Sequence, residues 1–511
     1  MERQEATGGL RREVGLPGAV MMGLGSIVGT GVFVSLGLAA GLAGWAMLGA
    51  LLLAAGLALC NGLSTAQLAA AHPVSGGTYE YGSIYIHPWV GYMAGWLFLS
   101  AKSASAATAA IGFGHYLWPY WQLLLGSLGS VGGVASARSA SGVRLAGSAG
   151  PADASLADAG LAGSLDLPVV SGAPWQLGLV ALALVVTLSL LGIRRSSWAN
   201  GLIVSVTLMG LGIYVLALAP ELWTQLWTAA GSTTQSPTGG QSLLQALGSP
   251  ASSSNGSDGN GSSAPGGPPL RLFLEATALM FVAYTGYGRV ATLGAEIKNP
   301  ARNIPRAVGW SLALACALYL LVAAVSLAAA GAEGFYQATV AGASGGPLQA
   351  IALAQGQPVV AHVVALAALT AMLGVLLNLV LGLSRVMYAM SLRGDLPRAL
   401  GQLGASASPT AAIAASGVLI GLMVLALKQV QLAWSFSAFT VLLYYSITNV
   451  SALRLPRGHR LYHPLWAWLG LVGCLSLGFW VDPSALVLGL ALLLGGLLWR
   501  LVFRRAGSRQ T

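Results

Sequence analysis

The sequence predicts an all-α polytopic membrane protein with about twelve transmembrane helices, the first and sixth of them broken. Three observations carry that reading. Only 7% of the 511 residues are charged and 56% are hydrophobic, whereas a soluble domain carries about 25% charge. Twelve uninterrupted apolar stretches divide the chain, most of them near the roughly 20 residues that cross about 30 Å of hydrocarbon. Two of those stretches carry glycines where a helix should run on, in "GLGSIVGTGVF" (Gly23 to Phe33) and "FVAYTGYGRV" (Phe281 to Val290).

In chain order, the predicted spans are 16–37, 44–70, 89–116, 175–193, 198–218, 272–293, 307–329, 359–391, 409–427, 432–454, 464–480 and 483–503. The first is longer than the apolar core of a signal peptide and leads directly into the second, so it is expected to stay as a helix. Segments 126–173 and 231–269 are rich in Gly, Ser, Ala and Pro, as in "GSPASSSNGSDGNGSSAPGGPP". Such composition cannot bury enough apolar surface to offset its ordering entropy. They read as low-complexity external loops. Asn255 and Asn260 each begin an N-x-S sequon there, of consequence only in a cell that glycosylates.

With a cytoplasmic N-terminus, sixteen Lys and Arg fall on the inside, from Arg3 to Arg509, against four outside: Arg138, Arg144, Arg271 and Lys428. The positive-inside bias therefore puts both termini in the cytoplasm. Arg500 reads as an interfacial residue. The domains expected are a tail at 1–15, a ten-helix core at 16–454, two peripheral helices at 464–503 and a tail at 504–511. The net charge of +10 is explained by these loop patches, and no nucleic-acid motif accompanies it. Cys60, Cys316 and Cys474 lie in apolar runs at no metal or disulfide spacing and read as small core residues.

Each glycine inside a helix costs about 0.5–1 kcal/mol relative to alanine, so the first span looks built to break. The bland alternative is close helix packing through small residues. The second interruption in the sixth span favours the break, because paired interruptions point to a five-plus-five inverted repeat with a site at the unwound backbone. The first span runs outward, so its outer half starts near Thr30 and Gly31 with free N–H groups that suit a carboxylate. The sixth runs inward, so its outer half ends near Val282 and Ala283 with carbonyls that suit an ammonium group. Together they meet the needs of an α-amino acid zwitterion.

At these residues the chain resembles the amino acid–polyamine–organocation superfamily, nearest its cationic amino acid transporter-like branch. "GSIVGTGVF" is similar to the first-helix signature, and "HPVSGGTYEYGSIYIHPWVGYMAGW" (72–96) to the loop between helices two and three. "AEIKNPARNIPRAV" (295–308) resembles the segment after helix six, and "LSRVMYAMSLRGDLPRAL" (383–400) the end of helix eight. The resemblance implies the leucine-transporter-like fold, ten core helices plus two peripheral ones. It also implies a plasma-membrane permease for an amino acid or related amine, working by alternating access. Substrate contacts are expected at Ser26, Ile27, Gly29, Thr30 and Gly31 and at Val282, Ala283, Tyr284, Thr285 and Gly286. Glu296, Lys298, Arg302 and Arg306 read either as a cytoplasmic gate or as ordinary positive-inside anchors.

The chain departs from the family in two places. "GYGR" puts Gly288 and Arg289 where relatives often carry an acid after the sixth-helix "GF" pair. Thr207 stands where some relatives have a helix-five lysine that carries the proton. That draws attention to Lys102, thirteen residues past Trp89 and so roughly 20 Å along a helix. An isolated lysine at that depth costs at least about 2.5–3.5 kcal/mol. It is either the coupling cation or proton carrier, or a structural lysine bonded to carbonyls of a neighbouring helix. Glu275 is read as a partner of Lys102 or of a cationic substrate, or as a headgroup-level residue. Arg385 is expected to reach the cytoplasmic surface, His362 to be a bonded core imidazole, and Trp45, Trp89, Trp96, Trp118 and Trp175 to be interfacial anchors.

An enzyme would need converging nucleophile, base or metal groups. The six histidines show no metal-binding spacing, no Walker motif is present, and no cofactor or metal is expected. A channel would instead predict continuous conductance. The partners expected are the substrate, the bilayer and a proton, with symport preferred and exchange or facilitated diffusion as the alternative.

Overall fold

The computed structural model describes residues 14–72, 76–131, 173–191, 197–231, 270–292, 297–340, 345–404 and 408–507. Apart from their edges, the two low-complexity stretches lie outside the described residues, as do both termini. Every regular element among the described residues is helical, and Val14 and Ile297 add one isolated parallel bridge.

The helices are α1 (Leu16–Ile27), α2 (Leu36–Ala43), α3 (Met47–Ala71), α4 (Thr78–Tyr85), α5 (Pro88–Val131), α6 (Pro174–Leu190), α7 (Ser197–Gly231) and α8 (Leu270–Tyr284). They continue as α9 (Gly288–Thr292), α10 (Pro300–Val340), α11 (Pro347–Ala354), α12 (Pro358–Leu392), α13 (Thr410–Leu427), α14 (Val430–Leu453), α15 (Pro464–Gly478) and α16 (Pro483–Gly507). Among the described residues, seven helical runs are long and apolar enough to cross a membrane. Helix also covers the other predicted spans. Those fall short because α8 stops at Tyr284, α6 and α15 are short, and α5 is long but carries the polar run "SAKSASAAT".

Proline marks where many of these helices start. It is the first residue of α5, α6, α10, α11, α12, α15 and α16, where its missing N–H has no intrahelical partner to lose and its fixed φ suits the first turn. Asp482 caps α16: its Oδ1 accepts from the Ser484 amide at 2.8 Å and from the Ser484 hydroxyl. The Ser484 hydroxyl, above all, holds the Asp482 carboxyl below the usual carboxylate range.

α5 lies at the centre, packed against α6, α12 and α14, while α10 packs on α1, α2 and α3. Polar groups tie these apolar helices together where they meet. Ser105 and Ser437 share a 2.8 Å hydrogen bond between α5 and α14, and the Asn449 amide donates to Asn61 between α14 and α3. Cys60, Cys316 and Cys474 are free thiols, and Cys474 accepts from Asn61.

The last helix is held by an arginine that sequence reading puts at the bilayer surface. Arg500 is 2% exposed. Its guanidinium pairs with Asp395 at 3.2 Å, donates to the Pro88 carbonyl at 2.9 Å and lies 4.5 Å from both the Trp89 and Tyr92 ring centroids. Tyr79 of α4 donates to the second Asp395 oxygen at 2.9 Å. Trp89 therefore covers a buried cation, and Trp96 donates to the Leu492 carbonyl of α16, so both make helix–helix contacts. Nearby, Arg393 pairs with Glu80 in the open, with its side chain 43% exposed.

Removing one partner of a buried pair leaves an uncompensated charge, worth about 3–5 kcal/mol, whereas an exposed pair is worth about 0–1 kcal/mol. Arg500→Leu should therefore lower the thermal midpoint of the purified protein in detergent well below that of Arg393→Leu. Equal midpoints would contradict the burial argument.

Candidate functional site

The break in the first span begins at Val28, whose backbone is extended (φ −77°, ψ 100°), and a π-turn over Gly31–Ser35 restores the helix before α2. Neither Gly29 nor Gly31 has a positive φ. The glycines serve close approach instead. A Cβ on Gly31 would stand 2.7 Å from the Ala283 Cβ and 2.9 Å from the Tyr319 hydroxyl, and one on Gly29 would stand 2.5 Å from Val375 of α12. The break in the sixth span is a 3-10 turn over Thr285–Tyr287 between α8 and α9. There a Cβ on Gly286 would lie 2.2 Å from the Ser26 carbonyl oxygen. The two interruptions thus pack backbone against backbone, which only glycine permits.

One side chain joins them. Tyr319 of α10 is fully buried and its hydroxyl donates to the Ile27 carbonyl at 2.7 Å, with the Ala283 carbonyl at 3.3 Å. Lys102 of α5 reaches the same junction: its Nζ donates to Thr285 Oγ1 at 3.1 Å, and the Thr285 hydroxyl donates in turn to the Val282 carbonyl at 2.8 Å. Tyr445 of α14 donates to the Thr285 carbonyl at 3.3 Å.

A cavity opens beside this junction. The broken segments line it with Ser26, Ile27, Thr30, Gly31, Val282, Ala283, Thr285 and Gly286; α5 adds Phe98, Lys102 and Ser105; α12 adds Asn378 and Arg385; and α14 adds Trp434, Tyr444 and Tyr445. Thr78 and Tyr81 of α4 and Arg289 of α9 line it as well. Above the junction the Trp434 indole donates to the Leu279 carbonyl at 3.0 Å, and Tyr116 donates to the Phe33 carbonyl at 3.0 Å. No carboxylate is among the described lining residues, while Lys102, Arg289 and Arg385 are.

Eight of the ten residues expected at the site from sequence line this cavity. Gly29 instead packs on Val375, and Tyr284 is buried with its ring centroid 5.2 Å from that of Tyr319. Lys102 bonds a side chain of the broken segment, not a carbonyl of an intact neighbour, and Glu275 does not line the cavity. Arg385, expected to reach the cytoplasmic surface, is partly exposed and lines the cavity. His362 is exposed on α12 with Nδ1 2.6 Å from the Pro358 carbonyl, so it is not core. Of the gate candidates, Lys298, Arg302 and Arg306 are exposed near the start of α10, and Glu296 lies outside the described residues. Sequence reasoning passed over Asn378, Trp434 and Tyr319. A signal existed for Asn378, a lone amide in the apolar run "GVLLNLVLG". Tyr319 had none, because a buried tyrosine in an apolar helix looks like any core aromatic.

The family model for amino acid permeases matches residues 18–496 of this chain. An uncharacterised transporter of Mycobacterium tuberculosis is 33% identical over 98% of this chain and 94% of its own length. A branched-chain amino acid permease of Bacillus subtilis is 25% identical over 77% of this chain and 70% of its own. A mitochondrial cationic amino acid transporter of Arabidopsis thaliana is 23% identical over 76% of this chain and 53% of its own.

The packing at the junction makes a prediction about two glycines. Gly286→Ala forces a methyl into the Ser26 carbonyl and should destabilise the fold by about 1–3 kcal/mol. Gly309→Ala, in α10, meets nothing within 4 Å and should be neutral or add about 0.5–1 kcal/mol. Thermal unfolding of both purified variants checks the contrast, and a harmless Gly286→Ala would refute the close approach.

Proposed function

The chain belongs to the amino acid permease family, and from that premise we propose that it is a secondary transporter moving amino acids by alternating access, driven by proton symport. It is a multi-pass membrane protein and not an enzyme. The observation that carries the reading is the junction of two broken helices beside a cavity. The start of the π-turn at Thr30 and Gly31 supplies backbone donors for the substrate carboxylate. The end of α8 at Val282 and Ala283 supplies carbonyl acceptors for its ammonium. The finer architecture proposed is a five-plus-five inverted repeat of leucine-transporter type, twelve spans in the plasma membrane, with both termini cytoplasmic. Residues 16–454 are its core and 464–503 its two peripheral helices.

In that orientation Arg289, Arg385 and the α4 residues Thr78 and Tyr81 mark the cytoplasmic side of the cavity. Lys298, Arg302 and Arg306, with Glu296, would act at the cytoplasmic mouth. A lining that includes three cations and no carboxylate among the described residues opposes a cationic substrate, so a neutral amino acid fits best. Lys102 is the coupling group in this reading. Protonated, it makes a charge-assisted bond to Thr285 within the break; releasing the proton to the cytoplasm weakens that bond and so links proton transfer to the geometry of the site. Without this coupling the same site would work as an exchanger or facilitator.

Proteoliposomes loaded with and without an inward proton gradient test the proposal against a panel of radiolabelled amino acids. Gradient-driven accumulation is expected for the parent protein. Lys102→Ala should lose at least about fivefold of that accumulation while still exchanging labelled for unlabelled substrate. Accumulation unchanged in Lys102→Ala would remove it as carrier, and no movement of any amino acid would overturn the function.

A further inference from the structure

The cavity holds more positive charge than one zwitterion at the junction uses. Lys102 bonds Thr285 inside the break, but Arg289 and Arg385 line the cavity too, and no part of that zwitterion falls to them. The two arginines meet on α12. That helix crosses the first break at Val375, against which Gly29 packs, and a Cβ on its Gly382 would stand 3.5 Å from the Arg289 Nη1. Arg385 follows one turn later. Gly382 and Arg385 come seven and ten residues after Val375, so they lie roughly 10 and 15 Å further along the helix. One carboxylate cannot be held at the start of the π-turn and at these guanidiniums together. A third donor belongs to the same group. Tyr81 of α4 is 1% exposed, lines the cavity, and its hydroxyl has no hydrogen-bond partner among the described residues. A buried donor in that condition costs free energy until an acceptor arrives. Thr78, in the turn before it, is bonded to Thr448 of α14 at 2.8 Å, which fixes α4 where it stands. Each guanidinium has five N–H donors in a fork that matches a carboxylate, so it can keep a protein partner and still receive one.

We propose that Arg289, Arg385 and Tyr81 form a second carboxylate site on the cytoplasmic side of the junction, which takes the α-carboxylate of the amino acid as it leaves the break. The identity of the ligand rests on the permease reading; the preference for a carboxylate does not, and it is tested without transport. Butyrate carries a carboxylate but lacks the ammonium that the junction requires. Titrated into the purified protein, sodium butyrate should raise the thermal midpoint by about 1 °C or more over sodium chloride at equal ionic strength. Arg385→Gln should need about tenfold more butyrate for the same shift. Tyr81→Phe, which keeps the buried ring and loses only the hydroxyl, should also need more, and it decides alone if Arg385→Gln does not fold. A parent that responds equally to butyrate and chloride would overturn the proposal, as would either variant responding like the parent. In proteoliposomes, Arg385→Gln should raise the half-saturating amino acid concentration about tenfold more on the cytoplasmic face than on the outer face. Equal changes on the two faces would overturn the handover. If the parent moves no amino acid, the permease reading fails, while the butyrate titration still decides the site.

Discussion

The architecture depends on one close approach, the contact of two interrupted helices without side chains between them. Gly31 lies against Ala283 and Gly286 against the Ser26 carbonyl, so the broken backbone of one segment touches that of the other. In a bilayer, non-helical backbone survives only where it is buried in protein or lines a cavity. Here both conditions are met. Tyr319 donates to the junction from α10, Lys102 and Tyr445 reach it from α5 and α14, and the remaining face is open to the cavity. A larger residue at either glycine would push the breaks apart and strand their polar groups in an apolar interior.

The surrounding helices act as a frame that keeps this junction together. α5 is the axis of that frame. It carries Lys102 to the site, bonds α14 through Ser105 and Ser437, and at its start receives Arg500 of α16 between Trp89 and Tyr92. The Asp395 partner of Arg500 is also held by Tyr79 of α4, and Thr78 of α4 bonds Thr448 of α14. One buried ion pair therefore ties the last helix, the turn after α12 and the short helix beside the cavity into one unit. Charges are rare in this chain, and the buried Arg500 is held by several partners, which is how a low-dielectric environment tolerates it.

Much of this was readable from residue order. Apolar runs between prolines and polar turns place the helices, because the bilayer leaves the backbone no alternative but to bond within itself. The two glycine-containing interruptions located eight of the cavity-lining residues, since a break needs the same small residues wherever it occurs. What failed were several inferences that required knowing which helices touch. The glycines were read as breakers, but Val28 makes the break and the glycines permit contact with Ala283 and Val375. Arg500 sits near the end of an apolar run, which looks interfacial until Asp395, about a hundred residues earlier in the chain, is found beside it. His362 was placed in the core and is exposed for the same reason: helix α12 shows no clear apolar stripe from which to choose a face. Tyr319 and Trp434 act through backbone carbonyls of other helices, and composition holds no trace of such bonds.

The account's central claim is that the junction reads both charged ends of an α-amino acid, the carboxylate at the start of the π-turn and the ammonium at the end of α8. The most direct measurement is equilibrium competition for a bound, labelled neutral amino acid on the purified protein. Its methyl ester and its N-acetyl derivative each remove one of the two charges. A hydrogen bond to a charged group is worth about 1.5–3 kcal/mol, so each derivative should compete about 10–100-fold more weakly than the parent amino acid. Either derivative competing as well as the free amino acid would contradict the claim.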